Sequence, residues 1–596
     1  MSDVELDDAQ RDAVEIDPGE RQIVIAGPGS GKTEVVSRLV EHLVEERDVD
    51  ATDGILVISF SNAAVFAADR RLRAHGAGPV TVQTMDSLAG EIVHDLGDEE
   101  LVGLDFDRRI SLATRLVAAE QWDRLEGLEH LVVDEVQDVV GVRADFLMEL
   151  LRRLPAEAGF TLLGDPAQGI YDWQLKVDDR VTSRTTSTQL LEWVSHMDGV
   201  RRKELTGQYR AVSRDARKVA ELRGSVLDAA GMSPLEELFA GLVSVASVAD
   251  VVELARSWPG TTAFLTATNG QALLVAGAIA DAGAAVEVRR SAQQRVLASW
   301  IARVLADHPA AGITLEELQQ RATEIVPEAD PAVLWRALRS VTGGRGREVE
   351  IAGLAHALNR PRPLTPDLIE PTHARLVAST VHRAKGLEFD HVVYVDFPDK
   401  PWIDDTADTD GGGLRTLFVA LSRARDTLAR AGGPDDRRLR SFVSRGEGRP
   451  RWFLGGRAKW MTLGFELRVD DLDRTAPPGD GRATQDHIAE SVHAGDPLDL
   501  VLDLSRSSTH LPVWDLVHEG RTVGRTSTAF GESFVARIGT LEKKKRGWPG
   551  LSGARVESIA TVSGNRQPGG VGRHGLWLSP VCAGMLRIDW NGASDG

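Results

Sequence analysis

Short apolar runs recur along the chain: QIVIA (22–26), GILVISF (54–60), LEHLVVDE (128–135), GFTLLGD (159–165), TTAFLTAT (261–268) and FDHVVYVDF (389–397). The stretches between them carry helical period. Runs of this length, apolar at consecutive positions, predict strands buried on both faces. Alternation with helices then requires crossover connections and parallel sheets. The pattern predicts two such sheets, an α/β fold class. The first sheet ends near residue 205, and the second is split by a mostly helical stretch over about 289–371, containing GITLEELQQRATEIV and DPAVLWRALRSV. From about 433 the period changes to two, in PLDLVLDLS, LPVWDLVHEG, RTVGRTS and LWLSP, with Gly and Asp turns between them. That pattern predicts a C-terminal β-rich, barrel-like domain.

Length agrees with several domains, since 596 residues exceed what one core supports. The single cysteine, Cys582, excludes an intramolecular disulfide. The start MSDVELDDAQRD has neither the basic end nor the apolar core of an export signal, and no run approaches the roughly 18 apolar residues of a membrane span. The expectation is a soluble, cytoplasmic protein with no membrane contact. The 69 Lys and Arg against 89 Asp and Glu give a formal charge of −20, which argues against coating nucleic acid by charge alone. It leaves room for a groove in which stacking aromatics and local basic residues hold a single strand.

The candidate chemistry begins at AGPGSGKTE (26–34), an apolar run that breaks into a Gly-rich loop and then a helix. A phosphate-binding loop needs backbone N–H groups that all point at phosphate oxygens, followed by Gly-Lys-Ser/Thr. Gly31, Lys32 and Thr33 satisfy the second half. Ala26 stands where the general pattern has Gly, but Gly27, Gly29 and Gly31 around Ser30 still free the backbone. In this reading Lys32 reaches the β- and γ-phosphates of ATP and Thr33 sets its hydroxyl on Mg²⁺. Asp134 and Glu135 end the run HLVV, where one carboxylate suits the metal and the other orients and deprotonates a water. Gln168 in LLGDPAQGIYDWQ is placed to sense the γ-phosphate, and Tyr171 and Trp173 to offer flat faces to a base.

With these motifs the chain resembles the UvrD/Rep/PcrA-type superfamily 1 DNA helicases, over residues 6 to 428, about seven tenths of its length. LDDAQRDAV resembles the family's adenine-reading motif, with Gln10 as the implied base contact. The family itself often has Ala at the first loop position. VISFSNAAVFAADRRL implies DNA contacts by Phe60 and Asn62, and TMDSL implies one by Thr84, although Met85 and Asp86 depart from the family's pattern. LTGQYRAVS implies Tyr209 stacked on adenine and Arg210 at the γ-phosphate. STVHRAKGLEFDHVVYV implies that His382, Lys385, Gly386 and Glu388 lie between the DNA and nucleotide sites, with Glu388 toward the nucleotide. LFVALSRARDTL implies Arg423 as an arginine finger. Alone, an arginine on a helix is more often salt-bridged or solvated; the joint order of seven motifs carries the reading.

The resemblance implies two RecA-like motor domains, at 1–205 and at 206–288 plus 372–432. Only 46 residues separate Ser87 from Asp134, so an accessory insertion at about 88–126 is short, and the helical 289–371 is a reduced second one. Residues 433–596 are then a linker and a binding module. Within them RRLRSFVSRGEGRPRWFLGGRAKW (437–460) interleaves basic and aromatic residues, and suits either a nucleic-acid strand or an Arg-rich linker folded onto an acidic body. EKKKRGW (542–548) is similar, and suits either a nucleic-acid strand or, more simply, a hairpin tip. Glu34 stands where the family often has Arg. The implied function is an ATP- and Mg²⁺-dependent translocase or helicase on single-stranded DNA or a single-strand/duplex junction, moving 3′ to 5′, in DNA repair or genome maintenance. The alternative is an ATPase switch whose C-terminal domain docks on RNA polymerase, a nuclease or a defence complex.

Overall fold

The computed structural model describes the chain outside residues 1–4, 60–79, 98–104, 121, 173–174, 176–181, 228–232, 290–295, 344–345, 361–363, 372–373, 398–411, 445–448, 459–460, 541–546 and 591–596. The chain forms two compact units: Met1–Val243 with Ala384–Val392 and Trp402–Leu428, and Ser244–Arg383 with Val393–Pro401 and Ala429–Gly596.

In the first unit, strands β1 (Arg21–Ala26), β2 (Ile55–Ser59), β3 (Thr81–Thr84), β4 (His130–Val133), β5 (Gly159–Gly164) and β6 (Val200–Leu205) form one sheet in the order β3-β2-β4-β5-β1-β6. Every pairing in it is parallel. β2, β4 and β5 are buried along their whole length, as their unbroken apolar runs predict. Cores lie on both faces, one around Phe146, Phe160 and Leu147, the other around Val36, Leu39 and Val132.

A polar chain crosses this sheet. Gln22 Nε2 donates to Thr161 Oγ1 at 3.0 Å, and His130 Nε2 lies 2.9 Å from the same hydroxyl while its Nδ1 donates to Pro18 O at 2.7 Å. Burial depresses the His130 pKa to about 4, against the hydrogen bond to Pro18 that works to raise it. The folded form thus binds this proton less well than the unfolded chain, whose His titrates near 6.5. The stability His130 contributes is complete above pH 6.5 and is lost as pH falls from there to about 4, by roughly 3 kcal/mol. Urea melts of the wild type between pH 7 and 4 should show that loss, and His130→Gln should remove most of it.

The second sheet holds β7 (Val243–Val245), β8 (Thr262–Thr266), β9 (Val286–Val288), β12 (Leu376–Thr380), β13 (Phe389–Asp396) and β14 (Ala424–Gly432), in the order β7-β14-β13-β8-β12-β9. β12 runs parallel to both β8 and β9. β10 (Gly312–Thr314) and β11 (Glu348–Glu350) make a small antiparallel pair among the helices that interrupt this sheet.

The C-terminal stretch forms an eight-stranded antiparallel sheet and a two-stranded one. It shares a single buried core with the helical stretch 297–368, which joins Ile301, Leu338 and Leu354 to Phe465, Trp514 and Leu578. Thr561 fastens the two: its hydroxyl donates to Ala298 O at 2.7 Å and accepts from Ala302 N at 2.9 Å. Asn359 Nδ2 donates to Ser563 O at 3.0 Å. At the centre, Trp514 and Phe465 each meet Phe530 and Phe534 edge to face.

The stretch 437–460 is drawn into this packing. Arg451, 2 % exposed, lies against the Phe465 and Phe530 rings and forks onto Asp471 at 2.7 and 2.8 Å. Phe453 is buried, Phe442 packs edge-on against it, and Arg449 pairs with Asp470. Of the two readings of this stretch, folding onto an acidic body accounts for these residues; Trp460 lies outside the described ones. Trp548 is likewise buried, and donates from Nε1 to Ser508 O.

Candidate active site

Strands β4, β5 and β1 are neighbours in the first sheet, so their C-terminal ends open side by side. In open α/β sheets this edge is where ligands bind. β1 delivers the loop 27–31 and the helix Lys32–Glu45, β4 delivers Asp134 and Glu135, and β5 delivers Asp165 and the short turn Pro166–Gln168. Gly29 (φ 77°) and Gly31 (φ 84°) take left-handed backbone that side chains disfavour. A Cβ on Gly31 would stand 2.5 Å from Gln10 Nε2, and one on Gly29 would stand 2.2 Å from Gln208 Oε1. The loop is therefore shaped by close approach as well as by its turns.

Lys32 Nζ meets Glu135 Oε2 at 2.8 Å, with side chains only 12 % and 23 % exposed. Glu135 holds a left-handed backbone (φ 56°, ψ 42°), an arrangement that costs about 1 kcal/mol or more in a non-glycine residue and that recurs at functional sites. Burial works to raise the Glu135 pKa, but Lys32 and Lys385 outweigh it and hold it at about 2. Asp134 goes the other way. Burial and the adjacent Glu135 charge push its carboxyl up to about 7. The two neighbouring carboxylates thus have their pKa values pushed in opposite directions.

Gln168 links this edge to Arg423. Arg423 Nη2 donates to Gln168 Oε1 at 2.6 Å, and Gln168 Nε2 donates to Asp165 Oδ2 at 2.8 Å. Arg423 is 3 % exposed; burial and the nearby Arg210 charge lower its pKa to about 10, which leaves it protonated at neutral pH. Arg210 Nη2 pairs with Glu388 Oε1 at 2.5 Å and its Nη1 donates to Ser422 O. Its Nε is buried without a hydrogen-bond partner among the described residues. Lys385 donates to Asp138 and to Gln168 O, and lies 5.2 Å from the Tyr171 ring centre.

On the far side of the loop, Gln10 is buried and donates from Nε2 to Ser30 O at 3.0 Å. Asp7 caps the helix Asp8–Val14 through Gln10 and accepts a hydrogen bond from the Tyr209 hydroxyl. That bond, more than burial, raises the Tyr209 pKa to about 12. The Tyr209 side chain is otherwise open to solvent, 57 % exposed beside the phosphate loop. Glu34 is paired with Arg38 at 3.3 Å, one turn along the helix.

The DNA-facing residues expected from sequence are only partly placed. Phe60, Asn62 and Trp173 lie outside the described residues. Thr84 caps the helix Met85–Leu96 by accepting from Ser87 N at 3.2 Å, which is a structural duty. The two departures beside it have local causes: Met85 is buried in the core and Asp86 pairs with Arg143 at 2.8 Å. His382 sits on the single turn Val381–Ala384, directly after β12.

Two family models match the chain: an AAA domain over residues 10–174, and a UvrD-like helicase C-terminal domain over residues 375–429. These two matches support a UvrD-like superfamily 1 helicase. No curated protein matches it in sequence. Among solved structures it is similar to the DUF1998 helicase MrfA bound to DNA and AMPPNP, at 12% identity and TM-score 0.35 over 72% of this chain and 48% of that one. It is also similar to the Pif1 helicase from Bacteroides in complex with ADP-AlF3 and ssDNA, at 14% identity and TM-score 0.33 over 72% of this chain and 92% of that one. The chain thus spans about half the length of the first and most of the second.

Three residues of this site went unremarked in the sequence. Gln208 donates to Pro28 O at 2.7 Å and accepts from Arg210 N at 2.9 Å, which ties the phosphate loop to the arginine. Asp165, fully buried, accepts from Arg223 Nε at 2.7 Å, and a Cβ on Gly27 would come within 3.2 Å of that arginine. Asp7 is the third. The first lies within the motif LTGQYRAVS, so its neighbours were the available signal; Arg223 had none.

Proposed function

We propose that this helicase hydrolyses ATP at the phosphate loop of its first unit and uses the cycle to move along single-stranded DNA. The observation that carries the reading is a linked set within one unit: Lys32 pairs with Glu135, Arg423 donates to Gln168 and feels the Arg210 and Glu135 charges, and Arg210 pairs with Glu388. Lys32 binds the β- and γ-phosphates, in competition with the Glu135 carboxylate that holds it at 2.8 Å. Glu135 orients and deprotonates the attacking water. Gln168 holds Arg423 at the edge of the site, and Arg210, whose Nε is still unpaired, adds a second cation for the charge that develops on the γ-phosphate. The donor set also fits Mg²⁺: Thr33 Oγ1 and the Asp134 carboxylate would hold it, and bound there it supplies charge neutralisation at the β- and γ-phosphates. Gln10 and Tyr209 read and cover the adenine. Movement is 3′ to 5′, as the family resemblance implies, with DNA repair or genome maintenance as its setting.

Base stacking on an aromatic face is worth about 1–3 kcal/mol. Tyr209→Ala should therefore raise the KM for ATP about fivefold or more and leave kcat within about twofold, read from initial rates over an ATP titration. Translocation is tested by displacement of streptavidin from a biotinylated oligonucleotide. ATP-dependent release from the 5′ end and not the 3′ end is expected; release from neither end, or from the 3′ end alone, contradicts the motor or its direction.

A further inference from the structure

His487 on one side and His518 with its neighbour Glu519 on the other converge in the C-terminal sheet region. His487 lies on the helix Arg482–Ser491, His518 ends the strand Trp514–His518, and Glu519 opens the turn into the strand Arg521–Arg525. One ligand atom of each lies within 4.8 Å of the other two. His487 Nε2 and His518 Nδ1 face each other at 3.0 Å.

We propose that these three side chains bind one divalent transition-metal cation of the zinc class, which clips the helix to the hairpin. Two imidazole nitrogens bound tetrahedrally at about 2.0–2.1 Å stand roughly 3.3 Å apart, so the observed pair needs to open by only a few tenths of an ångström. Both facing nitrogens must then carry lone pairs, which puts the His518 proton on Nε2. Asp496 Oδ2 lies 3.3 Å from that nitrogen to receive it, and is itself fixed by His493 N at 2.7 Å. A carboxylate that fixes the tautomer of a histidine from behind is the usual outer partner of a metal-ligating imidazole. Glu519 supplies an oxygen from an unusual position. It and Gly520 (φ 49° and 78°) are the two central residues of a tight turn between the paired His518 and Arg521, where Asn or Gly is the comfortable occupant. Glu there gives up backbone comfort and places a carboxylate beside the imidazole pair. His518 is buried, His487 half-buried and Glu519 exposed, so the ion has a route in and one position left for water.

The test is metal titration of the full-length, tag-free protein after chelator treatment, with Zn²⁺ alone in competition with a chromophoric chelator and Co²⁺ alone for its visible spectrum. One ion per chain is expected, with the intense Co²⁺ bands of a four-coordinate site. His487→Gln, which retains a hydrogen-bonding amide at a half-buried position, should weaken binding at least about 100-fold, and Asp496→Asn about 10- to 100-fold. His493→Ala should leave it unchanged. Zn²⁺ should raise the Tm of the wild type and not of His487→Gln. Absence of stoichiometric binding, or equal affinity in the wild type and His487→Gln, overturns the proposal.

Discussion

Arg423→Ala is expected to slow ATP turnover by about 10³- to 10⁵-fold while ATP still binds, the scale on which arginine fingers act in phosphoryl transfer. The guanidinium is nearly sealed from water, so its charge acts through low-dielectric surroundings and needs no reorganisation when the γ-phosphate gains charge. It is held by Gln168 Oε1, Val419 O and Leu387 O, a socket that fixes its plane. Arg423→Lys keeps a charge but loses the fork, and should recover little of the rate. Single-turnover hydrolysis and the Kd of a fluorescent ATP analogue separate the two effects. A loss confined to Kd would remove Arg423 from the chemistry.

Glu135→Gln comes second, with kcat down about 10²- to 10⁴-fold. A carboxylate whose pKa is held at about 2 is a poor proton acceptor, and the lysine that depresses it lies 2.8 Å away. Phosphates that draw Lys32 off the carboxylate return basicity to Glu135 at the moment the water needs it, so the resting ion pair doubles as a latch. The amide has no such charge to hold Lys32. Nucleotide affinity in Glu135→Gln should equal or exceed that of the wild type, and the combination of slow turnover with undiminished binding distinguishes this role from a structural one. Isothermal titration with a non-hydrolysable analogue, beside steady-state rates, reads both quantities.

The strands were legible because burial on both faces favours runs of apolar residues, as in LVV and LLG, and the phosphate loop because its glycines meet a backbone need that no other residue fills. Side-chain partners across the chain left no such trace. Gln208 reaches Pro28, and Arg223, at the start of the helix Arg223–Leu227, reaches Asp165, through folding that brings distant parts of the chain together, and neither pairing has a period or spacing. Composition left two readings open at 437–460, and Arg451, in a buried ion pair among phenylalanines, falls to the one in which the stretch folds onto the body. The shared core of 297–368 and the C-terminal sheet was hidden for the same reason: Thr561 meets Ala298 across 263 positions, beyond the reach of any local pattern.

The most direct measurement is steady-state ATP hydrolysis with and without a long single-stranded DNA oligomer, with Lys32→Ala as the blank. Hydrolysis should be stimulated at least about tenfold by DNA and abolished by Lys32→Ala. Hydrolysis lost in Lys32→Ala but unmoved by DNA would contradict the motor, leaving an ATPase switch whose partner would then be sought at residues 433–596.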